Sequence, residues 1–127
     1  MTNETALSGR RVFLVEDEAI VAMLFQDMLT DLGCEPVAHA SHFDDAMEKA
    51  ATVAFDIAIL DVNLNGVPSY PIAAVIEQRG LGVVFASGYA PEGFPESVRK
   101  FPLLQKPFQQ SDLEQALVAA LKWDRST

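Results

Sequence analysis

The sequence is poor in cysteine, in basic residues and in long hydrophobic runs. Cys34 is the single cysteine of the 127 residues, which excludes an intrachain disulfide and suits a reducing cytoplasm. Nine Lys and Arg stand against 18 Asp and Glu, a net charge of −9, which argues against binding to nucleic acid or anionic membranes. No apolar run could cross a bilayer, and the N-terminal stretch lacks the apolar core of a signal peptide. We therefore expect a cytoplasmic globular protein with neither nucleic acid nor membrane as its partner.

What the sequence does contain is an alternation of short apolar runs and segments with helical periodicity. Five apolar runs predict strands, at 12–15, 36–40, 57–60, 83–86 and 103–105. Helical periodicity predicts helices over 18–32, 42–52 and 70–79, and a last helix that opens with the capping box Ser111-x-x-Glu114. Three of the strand runs are almost continuously apolar, as in parallel sheets covered on both faces. This order predicts an α/β protein with a doubly wound, five-stranded parallel sheet.

Polar residues follow the predicted strands at the ends where such sheets bind ligands. Glu16 and Asp17 follow strand one, Asp61 ends strand three, and Ser87 and Lys106 end strands four and five. Three carboxylates in one crevice repel one another, so the site needs a cation or protons. Oxygen ligands without His or Cys favour Mg²⁺, and a hydroxyl and an ammonium beside it suit a phosphoryl group. The sequence therefore predicts phosphoryl transfer to Asp61 as the nucleophile.

Four motifs carry a family resemblance. "VEDE" after strand one, "LDVNLNG" at strand three, "ASG" after strand four and "KPF" after strand five resemble the receiver domain of bacterial two-component response regulators. Each motif is weak, whereas four in order at suitable spacing are strong evidence. The resemblance covers residues 10–123, between polar tails at 1–9 and 124–127, and implies a flavodoxin-like (βα)5 fold with strand order 2-1-3-4-5. Because only a short tail follows the last helix, we expect a stand-alone receiver without an output domain.

The resemblance also implies a role for the residues that handle the phosphoryl group. Asp61 is expected to be the phosphoacceptor, Lys106 to pair with the phosphoryl group, and Ser87 to act as the switch hydroxyl. The Lys106–Pro107 peptide bond is expected to be cis, as it usually is in receivers.

A metal site is implied in the same way. Glu16 and Asp17 are expected to bind Mg²⁺ together with Asp61, and Asn63 to add its backbone carbonyl. We interpret Glu18, the third acid of the run, as an ordinary first-turn acid of the following helix. His39 and His42 have no metal-ligating partner at suitable spacing, so we expect both to be surface residues.

The sequence departs from the family pattern in how phosphorylation is transmitted. Receivers often carry Tyr or Phe two or three residues before the lysine, but this stretch begins with Leu103 and contains no aromatic residue. Tyr89 is a candidate substitute, and we expect Tyr89 and Leu103 to modulate the response. Position 65, often proline in the family, is Asn, from which we expect altered loop rigidity and unchanged chemistry. Asn63 and Tyr89 flank the phosphoryl site and are expected to influence the lifetime of the phosphoryl group.

The segment after strand four partly resembles a receiver subset. "FASGY" at 85–89 is similar to the Phe-Ala-Thr-Gly-x-Tyr motif of an alphaproteobacterial group with a short or disordered fourth helix. Residues 88–102 hold three prolines and two glycines, which agrees with a fourth helix that is short or disordered. We expect residues 89–101 to be mobile and to become ordered on phosphorylation.

Several functions remain open within this framework. The resemblance implies a protein that takes a phosphoryl group from a histidine kinase or histidine phosphotransfer protein and then changes its affinity for a partner protein. It implies no enzymatic activity beyond self-catalysed phosphotransfer and autodephosphorylation. The alternatives are a phosphate sink or shuttle in a phosphorelay, a phosphorylation-independent binding module, and a Mg²⁺ phosphohydrolase. The last usually needs a second Asp where Asn63 stands. The sequence identifies neither the kinase nor the downstream partner, and a weak or phosphorylation-dependent homodimer stays open.

Overall fold

The computed structural model describes residues 6–88 and 94–124, and at its centre lies a five-stranded parallel sheet. Its strands are β1 (Arg11–Val15), β2 (Glu35–Ala40), β3 (Ile57–Asp61), β6 (Gly82–Ser87) and β7 (Leu103–Gln105), in the order β2-β1-β3-β6-β7. The two-residue strands β4 (Asn63–Leu64) and β5 (Val67–Pro68) form a separate antiparallel hairpin. Because this hairpin does not join the sheet, the order of the five sheet strands confirms the predicted 2-1-3-4-5 arrangement.

Four α-helices lie within the described part of the chain. They are α1 (Ala19–Asp31), α2 (Phe43–Thr52), α3 (Tyr70–Gln78) and α4 (Gln110–Asp124). Between β6 and β7 the described residues form only a short 3₁₀ helix, Glu96–Val98, where a fourth crossover helix was expected to be short or disordered. Gly80 follows α3 with φ of 75°, the left-handed conformation in which glycine commonly ends helices. None of the described helices is long and apolar enough to span a membrane.

The sheet separates two hydrophobic layers. One layer lies between the sheet and helices α2 and α3, and its members include Phe13, Phe55, Leu60, Ile72 and Phe85. The other lies between the sheet and helices α1 and α4, and its members include Leu14, Phe25, Ile59, Val84 and Leu117. Strands β1, β3 and β6 are therefore buried on both faces, which is the reason for their uninterrupted apolar sequences.

Helix α4 begins differently from the prediction. Its first residue is Gln110, so Ser111 lies inside the helix and is exposed, and the predicted capping box at Ser111 is wrong. The backbone N–H of Gln109 instead donates to Oδ2 of Asp112 at 2.9 Å. An acid three residues after the capping position thus stabilises the start of the helix.

The N-terminal residues pack more closely than a polar tail would. Leu7 is fully buried, and the backbone N–H of Gly9 donates to the carbonyl of Gly33 at 2.8 Å. The Cys34 thiol lies 3.7 Å from the carbonyl oxygen of Leu7. Burial raises the pKa of Cys34 to about 11, so the thiol stays protonated and unreactive near neutral pH. Part of the segment expected to be a tail is therefore part of the packed domain.

Helix α1 exposes an apolar stripe that the sequence pattern did not predict. Leu24 is 49% exposed, next to Ile20 at 83% and Met23 at 63%. The residues that the helix does bury are Ala22, Phe25 and Leu29. Because neighbours on a helix are three and four residues apart, Leu24 shares a side with Ile20 rather than with Phe25.

Candidate functional site

Three carboxylates meet where β1 and β3 end. Glu16 and Asp17 directly follow β1, and Asp61 is the last residue of β3, the neighbouring parallel strand. One oxygen of each side chain lies within 4.8 Å of the other two. Glu16 is 1% exposed and Asp61 is 9% exposed, so two of the three charges are largely withdrawn from water. The strand order therefore brings together the acids that the sequence placed at strand ends.

Lys106 reaches the same acids from the edge of the sheet. Its Nζ atom lies 3.3 Å from Oε1 of Glu16 and 3.7 Å from Oδ2 of Asp61. The other carboxylate oxygen of Glu16 accepts the backbone N–H of Glu18 at 3.1 Å. The Lys106–Pro107 peptide bond is cis, as the resemblance implied. One ammonium thus offsets part of the negative charge of the cluster.

Ser87 lies beside these groups at the end of β6. It is 2% exposed, and its backbone oxygen accepts the N–H of Lys106 at 2.8 Å. In the register of β3 and β6, Asp61 pairs with Ala86, the residue before Ser87. Ser87, which ends β6, and Lys106, which directly follows β7, therefore lie at the carboxyl ends of two adjacent strands.

Of the two residues expected to modulate the response, Leu103 and Tyr89, the structure describes only Leu103. Leu103 is the first residue of β7, where it is half-buried and packs against the core layer of α2 and α3. An aliphatic side chain thus occupies the position where the family often has an aromatic one. Tyr89 lies outside the described residues.

The buried carboxyl of Asp61 differs from an ordinary aspartate. Burial, reinforced by the charge of Glu16 and opposed by that of Lys106, raises the pKa of Asp61 from 3.8 to about 7. Without a cation the cluster therefore retains a proton near neutral pH. The donor atoms are carboxylate oxygens with no nitrogen or sulfur among them, so the residues fit a hard cation such as Mg²⁺. Such a cation would compete with the proton and favour the ionised form of Asp61.

The β4–β5 hairpin covers one side of the acid cluster. The backbone N–H of Asn65 donates to Oδ2 of Asp17 at 3.0 Å, and that of Asn63 approaches Oδ1 of Asp61 at 3.4 Å. Our strand predictions missed this hairpin. The Asn65-Gly66 dipeptide was the available signal, because Asn-Gly is the preferred centre of a two-residue hairpin turn.

His39 also contacts the site, although we expected a surface residue. It is half-buried near the end of β2, and its Nε2 lies 3.1 Å from the backbone oxygen of Glu16. Since a carbonyl oxygen can only accept, Nε2 carries the hydrogen. The strand-end rule that selected the acids could also have selected His39, because β2 ends beside β1.

A five-stranded parallel sheet in this order, with three carboxylates, a hydroxyl and a lysine at its carboxyl edge, is the arrangement expected of a two-component receiver. The family model for the response regulator receiver domain matches residues 12–118. The chain therefore belongs to the response regulator receiver domain family, as its motifs predicted. It is a protein of two-component signalling, a family whose members generally act by phosphorylation-dependent signalling rather than as enzymes.

Individual relatives agree with this assignment. SdrG from Sphingomonas melonis Fr1 is 34% identical with a TM-score of 0.80, over 95% of this chain and 99% of that one. The BeF3-activated conformation of SdrG from Pseudomonas melonis Fr1 gives 34% identity and a TM-score of 0.77, over 90% of this chain and 98% of that one. The transcriptional regulatory protein PdtaR of Mycobacterium tuberculosis is 30% identical over 124 residues, 94% of this chain and 60% of PdtaR. The chain thus spans about 60% of the length of PdtaR.

Proposed function

We propose that this protein accepts a phosphoryl group on Asp61 in a Mg²⁺-dependent reaction in the cytoplasm. The donor is a histidine kinase or a histidine phosphotransfer protein, and phosphorylation changes the affinity of the receiver for a partner protein. The observation that carries the proposal is the meeting of Asp61 with Glu16, Asp17 and Lys106 at one edge of the sheet. The protein modifies only itself, by phosphotransfer and autodephosphorylation, and turns over no free substrate.

The reaction follows from the positions of the side chains. An oxygen of Asp61 attacks the phosphorus of phosphohistidine in line with the leaving nitrogen, so that a P–O bond forms as the P–N bond breaks. Glu16, Asp17, Asp61 and the backbone carbonyl of Asn63 would hold Mg²⁺, which supplies positive charge to the phosphoryl oxygens. Lys106 pairs with a phosphoryl oxygen once Asp61 is modified.

The exposed stripe of α1 provides a docking surface for the donor. Helix α1 begins two residues after Asp17, so its first turns lie beside the acid cluster. Ile20, Met23 and Leu24 present exposed apolar side chains there. A protein donor that reaches Asp61 must contact this neighbourhood, and an exposed apolar stripe is typical of a protein-binding surface.

Ser87 couples phosphorylation to the partner surface. Its hydroxyl donates a hydrogen bond to the new phosphoryl group, which shifts a pre-existing equilibrium between two arrangements of the receiver. The backbone bond from Lys106 to Ser87 links this movement to β7. Because Leu103 replaces the usual aromatic residue, the response is not transmitted by an aromatic rotamer at this position. A phosphate sink or shuttle would accept the phosphoryl group without this change in affinity.

Intact-mass spectrometry after incubation with acetyl phosphate tests the proposal. The wild type should gain a single phosphoryl adduct only with Mg²⁺, Asp61→Asn should gain none, and Asp44→Asn, which removes an exposed acid of α2, should behave as wild type. An adduct that survives in Asp61→Asn would contradict the assignment. No adduct with acetyl phosphate or with any histidine kinase would favour the phosphorylation-independent binding module, and catalytic release of phosphate from small phosphoesters would favour the phosphohydrolase.

A further inference from the structure

The β4–β5 hairpin is tied together by a side chain next to the phosphoacceptor. Asn65 and Gly66 form its two-residue turn with φ of 52° and 88°, and positive φ at both positions is the requirement of a type I′ turn. Oδ1 of Asn63 accepts the backbone N–H of Gly66 at 2.6 Å. Leu64, between them, is 1% exposed and anchors the hairpin in the core. The hairpin is therefore held both by a side-chain bond and by burial.

The same turn holds one carboxylate of the acid cluster. The N–H of Asn65 donates to Oδ2 of Asp17 at 3.0 Å. Asp17 is less buried than Glu16, and repulsion from Glu16 and Asp61 favours its rotation towards solvent. A backbone donor on a hairpin opposes that rotation and leaves the second oxygen of Asp17 available to a cation.

We infer that Asn63 is a positioning residue for the metal site: through the Asn65–Gly66 turn it keeps Asp17 in place and thereby raises the affinity for Mg²⁺. This inference rests on the proposed function, because it assigns the cation to the same three acids. It also explains why the residue at position 65 matters, because Asn65 has a backbone N–H that donates to Asp17 and a proline would have none. Removing a partner that orients a metal ligand in this way commonly lowers metal affinity by about 10–100-fold.

A different role for Asn63 is distinguishable. If its side chain acted directly on the phosphoryl group, it would change the rate of phosphorylation or hydrolysis at saturating Mg²⁺. The 2.6 Å bond to Gly66 instead commits its oxygen to the turn. If the Asn63 side chain instead positions Asp17, its removal should raise the Mg²⁺ concentration at half-saturation and leave the rate at saturating Mg²⁺ unchanged.

Calorimetric titration of the unphosphorylated protein with MgCl₂ tests this inference. Asn63→Ala should weaken Mg²⁺ binding about tenfold, the lower end of the usual loss when an outer-shell partner is removed. Asn63→Asp retains an acceptor for Gly66 and should bind at least as tightly as wild type. Asp44→Asn changes an exposed residue of α2 outside the hairpin and the acid cluster, so it serves as the control and should stay within about twofold of wild type.

Phosphorylation by acetyl phosphate supplies the second readout. In Asn63→Ala the half-saturating Mg²⁺ concentration should rise by the same factor, with the saturated rate unchanged. Mg²⁺ affinity within about twofold of wild type, or a reduced saturated rate alone, would overturn the inference. If Asn63→Ala does not fold, Gly66→Ala replaces it, because its added Cβ meets no atom within 4 Å and strains only the turn. If the wild type itself binds no Mg²⁺, the metal-dependent function fails first and this inference fails with it.

Discussion

At the scale of single residues, the chemistry of the site depends on burial rather than on residue type. Asp61 and Asp56 lie at opposite ends of the same strand region, yet their pKa values move in opposite directions. The Asp56 carboxyl accepts hydrogen bonds from Arg11, and these outweigh its partial burial and lower its pKa. Burial and Glu16 dominate at Asp61 and raise its pKa to about 7. Only the second carboxyl therefore sits where a cation would change its ionisation near neutral pH.

We predict that metal-free wild type loses stability relative to Asp61→Asn as the pH rises. Between 3.8 and about 7 the folded state binds a proton on Asp61 that the unfolded state has released. The resulting stabilisation is complete below the unfolded value and is lost as the pH rises through the folded value. In urea unfolding with EDTA, Asp61→Asn should gain about 1–2 kcal/mol over wild type between about pH 5 and about pH 8, after allowance for partial solvent screening.

The variant Asp44→Asn, which removes an exposed acid of α2, provides the control for this measurement. Its stability difference from wild type should vary little over the same pH interval, because Asp44 is exposed on α2 and lies outside the acid cluster. Parallel pH profiles for wild type and Asp61→Asn would show that Asp61 titrates as an ordinary aspartate.

At the scale of elements, the site depends on two segments that carry no reacting group. The β4–β5 hairpin holds Asp17 through a backbone N–H, and helix α1 borders the acids with exposed apolar residues. Both elements follow directly after residues of the acid cluster, so their placement is set by where β1 and β3 end. The hairpin contacts the acid cluster, whereas the helix presents exposed apolar side chains beside it.

We predict that the double variant Met23→Ser, Leu24→Ser slows phosphotransfer from a histidine kinase or phosphotransfer protein by about tenfold or more. The few anchor side chains at the centre of an interface each contribute more than about 1 kcal/mol, and a tenfold effect corresponds to about 1.4 kcal/mol. Modification by acetyl phosphate should be unchanged, because a small donor does not contact α1. The matched control is Val37→Ser, which removes a 40% exposed apolar side chain from β2. Equal slowing with both donors, or an effect as large in Val37→Ser, would place the docking surface elsewhere.

At the scale of the whole molecule, one cluster of acids differs from the rest of the negative charge because it is largely buried. The chain carries a net charge of −9, but most of the acids whose burial the structure describes are exposed and are screened by solvent. The cluster of Glu16, Asp17 and Asp61 is the group of acids in the described residues that could hold a metal ion. A divalent cation at this point should therefore stabilise the fold more than general screening does.

We predict that Mg²⁺ raises the free energy of unfolding of wild type by about 1.4 kcal/mol at ten times its dissociation constant, because it binds the folded state and not the unfolded one. Asp17→Asn should lose most of this gain. Urea unfolding in MgCl₂ and in KCl of equal ionic strength provides the measurement. An equal gain in KCl would mean that the ion acts by screening alone.

The sequence by itself was sufficient for the order of the five sheet strands and for the acids, hydroxyl and lysine at their carboxyl ends. Continuous apolar runs predict β1, β3 and β6 as strands buried on both faces. Because a parallel sheet brings the carboxyl ends of its strands together, Asp61, Lys106 and Ser87 could be placed in one crevice. Periodicity could not show which side of α1 stays exposed, because Leu24 lies at the border of two helical faces. That choice depends on what the sheet leaves uncovered.

Tertiary structure alone decided how the site is supported. The bonds from Asn65 to Asp17 and from His39 to Glu16 join residues 48 and 23 positions apart. Local sequence patterns do not predict such pairs, because the distance between the two residues depends on how separate segments pack. The same holds for the raised pKa of Asp61, which arises from burial and from the approach of Glu16. The sequence thus determined which groups the site contains, and packing determined their orientation and ionisation.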